Sequence, residues 1–427
     1  MWYTKFGLIY KNEMKGVSMV EIGARIPPYV TAVIDALARA GHRGYLVGGS
    51  LRDLLRGVCP HDYDLTTDAT PAQMQEAFSA FRVIPTGLSH GTLTVLSEGH
   101  PVEVTTHRVD GTYTDGRHPD RVCFTERLSE DLARRDFTVN AMAYSAQTGL
   151  VDLFGGQDDL ERRVIRAVGT PETRFSEDAL RILRAFRFSA QLDFEVEHET
   201  ALGARTCRAG LAQISVERIF SELCRLLEST AAARGMTGLL EAGLAPYVFG
   251  ALAPIGEAVQ KINALPPRAE LRLALLLADR TEEELRTLCH RLKTPNAFAD
   301  ALVRLTAAAR APLPESPYEA RHFVFRFWGE WEQGLVLAAA CGRDTENARA
   351  LCRLVVREKS VIELRRLAVN GRELQQAFGV RPAMTGALLA RLQDYVFEEP
   401  TRNKKQQLLA RAAEICKEEA SYVTDSV

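Results

Sequence analysis

Between about Ile26 and Val168 the chain alternates short runs of period two with stretches of helical spacing. The runs Gly44-Tyr45-Leu46-Val47, Asp62-Tyr63-Asp64-Leu65, Thr92-Leu93-Thr94-Val95-Leu96 and Val102-Glu103-Val104-Thr105 predict strands. Val30–Ala40 and Ala72–Ala80 predict helices between them. From about Glu172 onward apolar residues return every three or four positions, in Ala179–Ala190, Val216–Leu227, Leu271–Asp279, Phe323–Ala340 and Met384–Tyr395. The pattern therefore predicts a compact α/β head followed by a long helical body rich in Ala, Leu and Arg. No repeat of fixed period interrupts it. The proline-rich stretch Arg310–Pro317 is the best linker within the body, and the turn Asn370-Gly371, after Leu367, opens a terminal segment.

Composition narrows the classes. The 427 residues carry 53 Lys and Arg against 55 Asp and Glu, a net charge of −2, which argues against a wholesale polyanion coat and leaves room for a local basic surface. The eight cysteines are scattered without a C-x-x-C pair, against both structural zinc and a disulfide framework. No apolar run approaches the ~18 residues of a membrane span. The first segment, with Lys5, Lys11 and Lys15 breaking its apolar stretches, does not read as a signal peptide, and the expected location is cytoplasmic. Met14 and Met19 are alternative starts, so residues 1–27 are expected to be an extension.

The chemistry concentrates in Tyr45-Leu46-Val47-Gly48-Gly49-Ser50-Leu51-Arg52-Asp53, followed by His61-Asp62-Tyr63-Asp64. A strand running into Gly-Gly and then a helix lets backbone N–H groups approach a phosphate, with the helix N-terminus adding partial positive charge. Arg52 can reach the same anion; a tight turn with an Arg52–Asp53 ion pair is the plainer use of these residues. Asp62 and Asp64, two apart on a strand, project from one face and repel unless a cation lies between them. Magnesium, which favours one or two carboxylates plus substrate phosphates, suits that place. Glu103 on a later strand can supply a third carboxylate.

These motifs resemble the polymerase β-type nucleotidyltransferases and, more narrowly, the bacterial class II tRNA CCA-adding enzymes. The resemblance continues through Gly87-x-x-His90-Gly91-Thr92, Asp110-Gly111-x-Tyr113-x-Asp115-x-Arg117-x-Pro119 and Arg134-Arg135-Asp136-Phe137-Thr138-x-Asn140-Ala141. It then takes in Asp152-x-Phe154-Gly155-Gly156, Arg174-Phe175-x-Glu177-Asp178-x-x-Arg181-x-x-Arg184 and Ile214-Ser215-x-Glu217-Arg218, so that it spans roughly residues 42–225. Ser50 stands where the family more often has another small or aliphatic residue. The resemblance implies an α+β fold: a nucleotidyltransferase head with a mixed sheet over 28–168, a helical neck over 169–228, a body over 229–366 and a tail over 367–427. It implies Mg2+ held by Asp62 and Asp64, with Glu103 a third catalytic carboxylate. Gly49, Arg52, Arg135, Asp178, Arg181, Arg184 and Arg187 become the nucleotide-binding residues. The implied partners are tRNA, CTP and ATP, with no membrane; the oligomeric state stays open.

Base choice follows from hydrogen-bond chemistry. The spacing of Ser176–Phe188 predicts a helix with Leu180, Leu183, Phe186 and Phe188 toward the core and Asp178 and Arg181 on one face. Asp178 can accept from the exocyclic amine shared by cytosine and adenine, and Arg181 can donate to the adjacent ring nitrogen. Uracil and guanine would leave both contacts mismatched. A surface ion pair between the two is the plainer alternative. Arg187 lies about half a turn from Asp178, so one straight helix cannot aim Asp178, Arg181, Arg184 and Arg187 at one base. The loop Asp110–Pro119 is expected to reshape the pocket between C and A addition, or to be an ordinary surface loop. Arg162, Arg163 and Arg166, and Arg402, Lys404 and Lys405, are candidate phosphate contacts. The competing functions are a poly(A) polymerase, an enzyme adding only CC or only A, and a non-catalytic tRNA-binding protein; the last would be expected to have lost Asp62 or Asp64.

Overall fold

The computed structural model describes residues 19–110, 122–252, 254, 256–358 and 367–424. The loop Asp110–Pro119 beyond the Asp110 backbone lies outside the described residues. The chain forms two compact units, Met1–Ala253 with Arg291–Lys293, and Pro254–His290 with Thr294–Val427. No helix among the described residues is long and apolar enough to cross a membrane.

The first unit holds β1 (Gly44–Val47), β2 (Asp64–Thr67), β3 (Arg82–Gly87), β4 (Thr92–Ser97), β5 (His100–Thr106), the hairpin β6 (Arg108–Asp110) and β7 (Val122–Phe124), β8 (Met142–Ser145) and β9 (Gly149–Asp152). Seven of these make one sheet in the order β3-β4-β5-β2-β1-β8-β9. Its pairings are antiparallel except β2 with β5, which is parallel, so the sheet is mixed. Alternation decides the faces: Leu93, Val95, Val102 and Val104 are fully buried, on the side where the helices Pro28–Arg39 and Pro71–Ala77 pack. The opposite face carries an unbroken register row, Val151–Ala143–Val47–Asp64–Glu103–Thr94–Ile84.

Most predicted elements are present with shifted ends. The expected strand Asp62–Leu65 starts at Asp64, with Asp62 in a bend just before it. Two predicted helices are broken. Ser176–Phe188 divides into Pro171–Glu177 and Leu180–Leu192, because Asp178 is extended (φ −141°, ψ 102°) and its side chain accepts from the Leu180 N–H at 3.0 Å. Leu180, Leu183, Phe186 and Phe188 are nevertheless all buried. Phe323–Ala340 divides into Pro317–Arg326 and Trp331–Ala340 around Gly329, whose φ of 86° ends a helix.

Among its described residues the second unit holds helices and no strand. The linker stretch lies inside it, between the helices Asn296–Arg310 and Pro317–Arg326. There Ser316 and Glu319 form a capping box and Pro317 occupies the first helical turn. Asn370 and Glu373 cap Gly371–Phe378 in the same way. One apolar cluster joins Phe323, Val324, Leu335, Cys352 and Val355; another joins Leu374, Leu392, Val396, Leu408 and Ile415.

Candidate active site

β1 ends at Val47 and the helix Gly48–Leu55 begins at once, so the turn must be made by residues that tolerate it. Gly48 has φ +71°, and a Cβ there would come within 3.3 Å of the Arg135 guanidinium and 3.8 Å of Asp64 Oδ2. Only glycine meets both conditions. A Cβ on Gly49 would lie 3.5 Å from the Arg52 guanidinium. The two glycines thus bring backbone, carboxylate and two arginines together.

The carboxylates converge as the parallel β2–β5 pairing dictates: Asp64 and Glu103 are direct register partners, and Asp62 precedes Asp64 by two residues. Asp62 and Glu103 are exposed and Asp64 is partly buried. Burial pushes the Asp64 carboxyl up to about 6, with the Glu103 charge adding to the rise, Arg135 opposing it and Asp62 adding again. A site that makes its own carboxylate hard to ionise is one a cation would relieve. Among the described residues no three His, Cys, Asp or Glu side chains form a ready-made metal cage. Such an open donor set fits a hard divalent ion that completes its shell with water and substrate phosphate.

The arginines are held by acids the sequence reading left without a role. Asp131, fully buried, accepts from Arg134 Nε and Nη2 at 2.9 and 2.7 Å, from Arg135 Nη2 at 3.1 Å and from Thr66 Oγ1 at 3.3 Å. Burial alone would raise its carboxyl, but Arg135 and Arg134 hold it well below the usual range. Thr66 Oγ1 also lies 2.7 Å from Nδ1 of His107, whose burial pushes it down to about 4 and keeps it neutral. Asp136 accepts from Arg184 Nε at 2.9 Å and from Asn140 Nδ2 at 3.2 Å, while Asn140 Oδ1 accepts from Arg52 Nη1 at 2.8 Å. Arg52, only 4% exposed, also bonds Asp53 through Nε at 2.9 Å. The ion pair foreseen for it is therefore buried rather than superficial. Arg52, Arg184 and Arg187 surround the Phe188 ring at 5.5, 5.3 and 3.5 Å, and Arg187 Nε donates to Glu222 at 2.9 Å. Short acidic side chains beside Arg134 and Arg135 were the available signal for Asp131 and Asp136.

Asp178 and Arg181 do not pair with each other. Asp178 accepts from Arg218 Nη2 at 3.1 Å, and Arg181 donates to Glu177 at 2.6 Å and to the carbonyls of Arg174 and Arg134 at 3.2 and 3.0 Å. The break at Asp178 also replaces the expected common helical face: each residue is held by its own partner. Of the basic cluster, Arg166 is committed to Asp159 and Glu197, whereas Arg162 and Arg163 are exposed. Arg402 pairs with Glu398 and Lys405 with Glu373.

Comparison with known proteins agrees with this layout. Residues 44–166 match the model of the poly A polymerase head domain, and residues 193–255 that of a probable RNA and SrmB-binding site of polymerase A. The chain is 36% identical over 395 residues to the CCA-adding enzyme of Levilactobacillus brevis, covering 88% of this chain and 95% of that one. It is 38% identical over 359 residues to the Geobacillus thermodenitrificans CCA-adding enzyme, covering 81% and 87%. A crystal structure of the Bacillus stearothermophilus CCA-adding enzyme in complex with CTP superposes with a TM-score of 0.76 at 30% identity, covering 93% of this chain and all of that one.

Proposed function

The chain belongs to the family of CCA-adding enzymes, and on that premise we propose how its own residues add C, C and A to the 3′ end of tRNA from CTP and ATP, releasing pyrophosphate. The observation that carries the reading is the register of Asp64 with Glu103 beside Gly48, Gly49 and Arg135. Asp62 and Asp64 would hold divalent ions, Mg2+ in this reading, which would supply positive charge for the acceptor hydroxyl and the departing pyrophosphate. Glu103 adds the third carboxylate of that pocket. The N-terminal turn of Gly48–Leu55, with Gly49, Arg52 and Arg135, orients the triphosphate through N–H groups and fixed guanidiniums.

Asp178 and Arg181 read the base. Arg218 fixes the Asp178 carboxylate and Glu177 the Arg181 guanidinium, so acceptor and donor are set before a nucleotide arrives. A pocket organised this way rejects uracil and guanine because they set a carbonyl oxygen against the Asp178 carboxylate and a ring N–H against the Arg181 guanidinium, so neither contact forms. Arg184, oriented by Asp136, contacts the nucleotide, and Arg187, held by Glu222 across Phe188, supports the pocket from behind.

The test is incorporation of label onto a tRNA ending at the discriminator base. Label is expected from CTP and ATP but not from UTP or GTP. Long A-tails on arbitrary RNA would overturn the reading in favour of a poly(A) polymerase, and A without C would make the chain an A-adding enzyme. Asp178→Ala should admit UTP or GTP; unchanged base choice would remove Asp178 from the reader.

A further inference from the structure

The outer flank of the sheet, β3-β4-β5, has one face packed and the other exposed along its margins, with Thr94 at its centre only 8% exposed. On this second face three register rows run side by side: Pro101–Leu96–Arg82, Glu103–Thr94–Ile84 and Thr105–Thr92–Gly87. Arg82, Pro101 and Glu103 are exposed, and Ile84 is 38% exposed. Hydroxyl pairs tie the strands together here, Thr86 to Thr94 at 2.8 Å and Thr92 to Thr105 at 2.9 Å. The middle row continues through Glu103 into Asp64. From Glu103 to Ile84 is two strand spacings, about 10 Å.

In-line transfer puts the attacking hydroxyl and the departing pyrophosphate on opposite sides of the α-phosphorus. In the reading above, on which this inference rests, the pyrophosphate lies toward Gly48 and Gly49, directly after β1. β1 flanks β2 on one side and β5 flanks it on the other. The hydroxyl must therefore arrive over β5, and the nucleotides behind it have β4 and β3 beneath them. We propose that this face of β3-β4-β5, presenting Ile84, Leu96 and Thr92 with Arg82 at its margin, seats the 3′-terminal nucleotides of the acceptor tRNA.

The chemistry of the patch suits a single strand. Bases stack on apolar surface whatever their sequence, which an acceptor that must present its discriminator base, then C, then C requires. Ribose hydroxyls meet the threonine row and Glu103. Arg82 at the rim supplies a positive charge for the strand's phosphates.

Ile84→Glu and Arg82→Glu test it, with Leu153→Glu, an exposed residue beyond the opposite edge strand β9, as control. Each of the first two should raise KM for tRNA about tenfold while leaving KM for CTP unchanged, the mark of a lost acceptor contact. The control should change neither constant. Unchanged KM for tRNA in both flank variants would overturn the proposal. So would an equal rise for the control, or a parallel rise in KM for CTP, which reports a general distortion. A photoreactive nucleotide at the tRNA 3′ end should crosslink within residues 82–103 of the wild-type protein; crosslinks confined to other segments would refute it without recourse to variants. Wild-type protein that adds neither C nor A would sink the functional reading itself, a result distinct from any of these.

Discussion

The two units anchor several of their arginines on different partners. Around the candidate site, guanidiniums face carboxylates: Arg134 and Arg135 on Asp131, Arg184 on Asp136, Arg181 on Glu177, Arg187 on Glu222 and Arg218 on Asp178. In the helical unit three arginines face main-chain carbonyls at helix ends, while Arg268 pairs with Glu270 and Glu330. Arg272 donates to Leu265 O at 2.8 Å through Nη2, Arg310 to Ala278 O at 2.8 Å through Nε, and Arg343 to the carbonyls of Ala309 and Ala311 at 2.5 and 2.8 Å. A carbonyl is a neutral acceptor, and the arginine there is a cap that complements the helix dipole. A carboxylate partner fixes the fork of the guanidinium and neutralises it, so an incoming phosphate or base edge can share it without new backbone exposure. The partner, more than the charge, tells what an arginine is for.

The largest effect expected on the site side is Asp64→Asn. Incorporation should fall roughly 10³-fold or more, since several kcal/mol of metal-based charge stabilisation goes with it. Stability should move the other way. The folded state raises the Asp64 pKa from 3.8 to about 6, so ionisation opposes folding: the cost is absent below the unfolded value and complete above the folded one. In chelator at pH 8 the Asn variant should therefore melt higher than the parent. A lower melting temperature would contradict the carboxylate cluster. Next comes Asp136→Asn, which leaves the half-buried Arg184 without its acid and loosens Asn140 on Arg52. A loss of about 1–3 kcal/mol in urea unfolding is expected, with a raised KM for CTP. A loss no greater than that of an exposed ion pair would break the distinction between the units.

His107 gives a pH test within the same unit. Its folded pKa lies near 4 against an ordinary 6.5, so the unfolded chain takes up the proton first. Stability should fall as pH drops from 6.5 to 4, by up to ~1.4 kcal/mol per unit, and the loss should level off below 4. His107→Phe should flatten that part of the profile, and identical slopes would show that the imidazole is not buried neutral. On the other side of the comparison, Arg343→Met should cost ~1–3 kcal/mol by stranding two carbonyls and leave KM for CTP unchanged. A changed KM would mean that the cap serves the site.

What could be read from the chain divides along similar physical lines. The turn at Gly48, the strands around it and the apolar face of Leu180–Leu192 are written in local period and residue type, and they form where expected. The break at Asp178 has a local part, its side chain accepting from the Leu180 N–H, and a distant one, Arg218, forty residues away in sequence, which no local pattern carries. Likewise the partnership of Glu103 with Asp64 depends on a parallel pairing that only the completed sheet defines. Asp136 was in view as a motif residue and Asp131 was not, and a buried acid and an exposed one look the same in sequence. Their role emerges only when Arg135 and Arg184 are seen to close on them.

The smallest expected effect sharpens the comparison most. Arg353 and Glu332, in the helical unit, lie 2.6 Å apart, the same separation as Arg181 and Glu177 in the site. Distance alone would make them equals. Arg353 is 55% exposed and Glu332 45%, whereas Arg181 is 9% and Glu177 27% exposed, so water screens the first pair more than the second. Arg353→Ala should therefore cost only a few tenths of a kcal/mol in urea unfolding, and less still in high salt. Arg181→Ala should strand Glu177 and the carbonyls of Arg174 and Arg134, and should change nucleotide selection as well as stability. Equal costs for the two variants would mean that charge pairing at 2.6 Å, rather than burial and shared carbonyls, sets the worth of these arginines.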